Sequence, residues 1–129
     1  MDDFKGRTNS RKEAVLRLYT AVLMQEEPNV EDLDDYAKEL VLGVNNNLDE
    51  INEIITKCLT NYSITRLNYV DASIIRLACY EMMYTDTPHK IVINEAINMT
   101  KKYSNLDDDK AKAFNNRLLD NISKYLCEK

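Results

Sequence analysis

Residues 90–103 read KIVINEAINMTKKY, and whether they form a strand or a helix decides the fold class. As a strand, one face carries Ile91, Ile93, Glu95, Ile97 and Met99, with one charged misfit. As a helix of 3.6 residues per turn, Val92, Ile93, Ala96, Ile97, Met99, Thr100 and Tyr103 share an arc of about 160°. Asn94, Glu95, Asn98, Lys101 and Lys102 then make the polar arc, with Ile91 the exception in the first turn. The helical pattern persists to Tyr103, and no other segment offers a partner strand. A helix is expected.

Upstream lies VDASIIRLACYEMMY, residues 70–84, apolar almost all round, with only Ser73, Arg76 and Glu81 clearly polar inside it. A helix with so little polar face packs on several sides and is expected at the centre. An arginine inside it needs a buried ion pair or a carbonyl, because an isolated buried charge is unfavourable by several kcal/mol. Further back, Arg11–Gln25 reads as a helix through Ala14, Val15, Leu18, Ala21 and Val22, with Asn9 or Ser10 as N-cap. Pro28 and Asn29 break the chain. Glu31–Val44 and Leu48–Tyr62 read as two more helices, separated by the Asn45–Asn47 turn. Downstream, LDDDKAKAFNNRLLDNISKYL, residues 106–126, closes the chain as an amphipathic helix whose leading acids suit the helix dipole. With two Gly and two Pro among 129 residues, there is little punctuation for hairpins. A single all-α domain over residues 1–129 is expected.

Composition narrows the function classes. No run approaches the ~18 apolar residues of a membrane span, and MDDFKGRTNSRKEA has no apolar core of a leader peptide. Cys58, Cys79 and Cys127 are odd in number and far apart, which argues against a disulfide framework or structural zinc and fits a reducing cytoplasm. Charge is segregated. Lys5, Arg7, Arg11, Lys12 and Arg17 stand against Glu13 near the start, residues 26–53 hold ten acids against Lys38, and bases again exceed acids after residue 100. The ends could meet a polyanion while the acidic segment faces solvent or a basic partner.

An enzyme finds little support. His89 is the one histidine, beside Pro88 in an expected loop, without a nucleophile motif. Gly6 and Gly43 are too isolated to cradle a phosphate, and Asp107–Asp109 reads as a solvated helix start rather than a cation site. Asn94 and Glu95 point about 100° apart on a helix and do not converge on one substrate atom. Glu95 is expected to serve the helix start and Asn94 the preceding loop, so this stretch reads as scaffold. No catalytic residue, metal or cofactor is expected.

The N-terminal bases are different. Extending the first helix backwards puts Arg7 and Arg11 on the face of Ala14, Leu18 and Val22. Arginines do not ordinarily continue a core stripe, so the chain is expected to leave the packed body there and expose both guanidiniums. Such forks match phosphate oxygens. Composition alone leaves solvated charge and nucleic-acid contact equally open.

Taken together, SRKEAVLRLYTA (10–21), LVLGVNNN (40–47), VDASIIRLACYEMMY (70–84), TPHKIVINEAINMTKKYS (87–104) and FNNRLLD (114–120) resemble the NusB family of bacterial transcription antitermination factors. The resemblance spans nearly the whole chain in the same order. It implies an all-helical, compact bundle of about seven helices in two packed halves. It implies binding to boxA-type RNA of rRNA leader transcripts, together with the small-subunit ribosomal protein NusE, within the RNA polymerase antitermination complex in the cytoplasm. RNA contact falls by resemblance on Arg7, Arg11, Lys101, Phe114 and Asn116, and protein-partner contact on Tyr19 and Asp71. The alternative is a helical interaction adaptor, or a homodimer, with weak or no RNA binding.

The chain departs from the family pattern in places. RTNSR stands where several adjacent arginines are common, Ala113 replaces a frequent Lys, Arg117 replaces a usual Gly, and LDDDKAKA is slightly long. Fewer N-terminal bases imply weaker RNA binding with a flatter salt dependence. The same helical domain also occurs fused to rRNA cytosine methyltransferases; a chain that opens on Met and closes after the last helix is not expected to carry that α/β domain.

Overall fold

The computed structural model describes residues 3–59, 67–104 and 110–128. Among them are six helices and no strand: α1 (Asp3–Met24), α2 (Asp35–Asn46), α3 (Leu48–Cys58), α4 (Tyr69–Tyr84), α5 (His89–Tyr103) and α6 (Lys110–Cys127). The strand-or-helix question is settled by α5. Pro88 leads into it, and its carbonyl accepts the Ile91 and Val92 N–H groups at 3.0 and 3.1 Å. Val92, Ala96, Met99 and Thr100 are buried, with Ile93, Ile97 and Tyr103 half-buried beside them. Ile91 is half-buried too, so the misfit of the first turn finds cover.

The apolar helix is the hub. Between Asp71 and Met82 every α4 residue except Arg76 is buried, and α4 packs against all five other helices. On one side it meets α1 and α2, on the other α5 and α6, while α3 touches α2, α4 and α6. This gives the expected halves a shared wall. Asn68 caps α4 by accepting the Asp71 N–H at 2.7 Å. Its far end closes at Thr85, whose hydroxyl donates to the Glu81 carbonyl at 2.8 Å. Tyr80 crosses directly over Gly43 of α2: a Cβ there would lie 2.2–2.5 Å from the Tyr80 ring. Gly43 is therefore required by close helix approach, not by backbone freedom.

Several boundaries differ from the sequence pattern for local reasons. Helix α1 runs back through Ser10 without stopping, because the Ser10 hydroxyl donates to Asp34 at 2.8 and 2.9 Å and does not cap its own helix. The second helix starts at Asp35 rather than Glu31. Asp32 has φ 65°, incompatible with a right-handed helix, and Asp34 takes the N-cap by accepting the Ala37 N–H at 2.8 Å. That backbone bond, then the Ser10 hydroxyl, hold the Asp34 carboxyl below its usual range. Helix α1 ends with Gln25 at φ 57°; the Gln25 and Glu26 N–H groups return to Val22 and Ala21, the pattern usually closed by glycine. The expected end of the third helix at Tyr62 and the acids Asp107, Asp108 and Asp109 lie outside the described residues.

Candidate nucleic-acid interface

The two N-terminal arginines have opposite fates. Arg7 is exposed, its guanidinium 4.4 Å from the centroid of the Tyr36 ring. Arg11 is buried, with 1% of its side chain accessible. Its Nε and Nη2 donate to the two Glu81 carboxylate oxygens at 2.7 and 2.9 Å, and Nη1 donates to Glu95 Oε1 at 3.3 Å. The Tyr36 hydroxyl donates to Glu81 Oε2 at 2.6 Å, and Thr8 to Glu95 at 2.8 Å. Four helices thus meet around one guanidinium. Burial penalises the Arg11 charge, but the paired Glu81 carboxylate outweighs that and holds its pKa above the ordinary value. Burial, then the bond to Glu81, pushes the Tyr36 hydroxyl up to about 12.

The expectation that the chain leaves the packed body before Arg11 is therefore overturned. Arginine continues the core stripe because α4 supplies Glu81, fully buried, at the matching level. Such a pair tolerates burial when its donors and acceptors are satisfied in good geometry. Glu95 is likewise not a helix-start carboxylate; it lies beyond the first turn and serves Arg11 and Thr8. Asn94 is exposed and lines a surface groove instead of holding the preceding loop.

The remaining candidates are dispersed. Lys101 is exposed in the last turn of α5. Phe114 and Asn116 sit two residues apart on α6, about 200° around a helix, and face different ways. Phe114 is half-buried in a small recess with Cys58, Leu59 and Leu118. Asn116 is exposed, on a shallow groove of about 320 Å³ with Lys90, Asn94 and Asp120. The structure does not bring the two into one patch. His89 is the first residue of α5, not a loop residue, with Nδ1 2.7 Å from the Ser123 hydroxyl.

Of the two residues expected by resemblance to meet a protein partner, Tyr19 is half-buried on α1. Asp71, the other, lies largely inside the bundle. It is 7% exposed and accepts the Asn115 side-chain amide at 3.1 Å, which also donates to Thr100. Asn115 was not singled out by the sequence; its neighbour Asn116 was, and only the phase of α6 against α4 separates their roles. Arg76 takes the carbonyl alternative, donating to the Asn52 side-chain oxygen at 2.8 Å, with burial lowering its pKa. It lines a cleft of about 520 Å³ with Leu18, Val22, Val44 and Leu48. Among the described residues, no helix is long and apolar enough to cross a membrane.

The signal for the buried network was present in the sequence. An arginine on one apolar stripe and a glutamate on another, Arg11 and Glu81, are each improbable alone and explain each other as a pair.

Comparison with known proteins supplies the context for this geometry. The model of the NusB family matches residues 3–124. The transcription antitermination protein NusB of Macrococcus caseolyticus is 38% identical over 129 residues, covering 92% of this chain and 97% of that protein. That of Clostridium botulinum is 44% identical over 100 residues, covering 76% of this chain and 73% of its own. Among solved structures, that of the antitermination factors NusB and NusE in complex with double-stranded RNA superposes with a TM-score of 0.80 at 32% identity, covering 97% of this chain and 99% of that one.

Proposed function

The chain belongs to the NusB family, and on that premise we propose that it is a transcription antitermination factor, one RNA-binding domain over residues 1–129. It binds boxA-type RNA of rRNA leader transcripts together with the ribosomal protein NusE, within the polymerase complex in the cytoplasm. It acts by affinity rather than catalysis. The observation that carries the reading is the family match along nearly the whole chain, joined to the likeness to a NusB solved with NusE and RNA.

On this surface Arg7 supplies the N-terminal phosphate contact and Lys101 a second, while Asn116 offers an amide to an unpaired base. Arg11, whose donors Glu81 and Glu95 occupy, acts as a positioning residue that holds the start of α1 in place. Phe114 contributes whatever ring edge its recess leaves accessible. Tyr19 remains the partner-facing side chain, with Asp71 supporting the start of α4 from within.

Titration against a boxA-containing RNA and a scrambled control, with and without NusE, at two salt concentrations tests this. Partner-enhanced, sequence-dependent binding is expected. Equal binding to both RNAs in the presence of NusE would refute it. The adaptor reading is favoured by one observation: of Arg7 and Arg11, only Arg7 reaches the surface. It predicts NusE binding that is indifferent to RNA.

A further inference from the structure

Among the described residues Arg7 makes no ion pair with a carboxylate; its guanidinium lies over the Tyr36 ring. A ring face attracts a guanidinium through its quadrupole and offers no lone-pair acceptor of the kind a carboxylate would, so the N–H donors are not consumed by an anion. The ring itself is anchored. It packs against the hydrophobic core, and its hydroxyl is tied to Glu81, which Arg11 grips with two hydrogen bonds, so the platform is held by packing and braced by a buried ion pair. Arg11 also lies 5.9 Å from the same ring centroid, so both guanidiniums approach one aromatic side chain.

We propose that Tyr36 is a positioning residue for RNA: its ring holds the Arg7 guanidinium with its donor edge turned to solvent, ready for a phosphate. This rests on the RNA-binding reading above. An exposed arginine ordinarily loses rotamer freedom on binding, and a preformed stack removes part of that loss in advance. With Arg11 buried, orienting Arg7 is the way this face of α1 gains most from its arginines. Tyr36 lies in α2, within the acidic segment, where charge alone argues against any part in RNA contact.

The test is a double-mutant cycle read by boxA RNA affinity in the presence of NusE. Arg7→Ala is expected to weaken binding about 5–10-fold and to flatten the salt slope by roughly 0.7, the loss of one single-strand phosphate contact. Tyr36→Leu, which removes the platform, is expected to weaken it about 3–5-fold, in line with a cation–π contact at a partly exposed site. The double variant should bind no worse than Arg7→Ala, and Tyr36→Phe, which keeps the ring, should recover most of the affinity. Multiplicative losses in the double variant, or wild-type affinity in Tyr36→Leu alongside a weakened Arg7→Ala, would overturn the positioning role while leaving RNA binding intact. Wild-type protein that ignores boxA RNA overturns both readings. Should Tyr36→Leu not fold, judged by lost NusE binding, NMR of the wild-type Arg7 side chain decides. Ring-current-shifted Arg7 signals that persist and respond to RNA uphold the proposal; signals that lose the ring shift when RNA binds refute it.

Discussion

Arg7 and Arg11 stand one turn apart on the same helix, about 6 Å along its axis and within about 40° of each other around it. They share a residue type and a helical face, yet one lies under protein and the other in water. The difference comes from what each meets. At the level of Arg11, α4 and α5 present Glu81 and Glu95, and every donor it uses is turned inward. At the level of Arg7 the neighbouring helices present an aromatic face, which attracts the charge without consuming its hydrogen bonds. The role of each guanidinium is thus set by whether its donors are taken by buried carboxylates or left beside an aromatic ring.

That contrast can be broken most directly at Arg11. Arg11→Ala strands the Glu81 carboxylate in the core, and urea unfolding should show a loss of about 3–5 kcal/mol. A loss within about 0.5 kcal/mol would mean that Glu81 finds water or another donor and that the pair is not structural. Next in size is Tyr36→Phe, which removes one donor from a buried carboxylate and keeps the ring. Stability should fall by about 1–3 kcal/mol, measured by the same unfolding curves.

The cap on α2 sharpens the comparison, because Asp34 ties that helix to Ser10 on the inner turn of α1. Asp34→Ala should cost about 1 kcal/mol. Its carboxyl titrates below the usual value in the folded state, so its contribution is fully present above the unfolded pKa near 3.8 and is lost as pH falls through the folded one. Acid unfolding of Asp34→Ala should accordingly lack part of the wild-type's decline below about pH 4. The smallest effect on stability is expected at the outer turn. Arg7→Ala should leave the unfolding free energy within about 0.5 kcal/mol of wild type, while RNA affinity falls. A larger loss would make Arg7 another structural residue.

Much of this arrangement was legible in the sequence. The arc from Val92 to Tyr103 marked α5 as a helix, and the near absence of polar residues between Val70 and Tyr84 marked α4 as central. Arg76 was expected to need a partner and has Asn52. The candidate site was less legible. Phe114 and Asn116 are neighbours in the chain but diverge around α6, and Asp71 and Arg11 turned inward. Tyr36 and Asn115 gave no signal of their own. Tyr36 matters through the Arg7 guanidinium over its ring and the Glu81 carboxylate at its hydroxyl, and Asn115 through the phase at which α6 meets α4.

The sequence by itself determined that the chain is helical, which segments carry the helices, and which of them is enclosed, although it placed the start of α1 eight residues too late, at Arg11 rather than Asp3. Periodicity and turn chemistry act between residues close in the chain, so they can be read without knowing what packs where. Only the tertiary structure decided which charged side chains are spent inside and which face a ligand. Burial of Arg11 became tolerable once Glu81, seventy residues away in the chain, stood 2.7 Å from it. Pairing across such a separation is a property of the assembled helices, because the partner that compensates the charge is brought there by the packing of other residues.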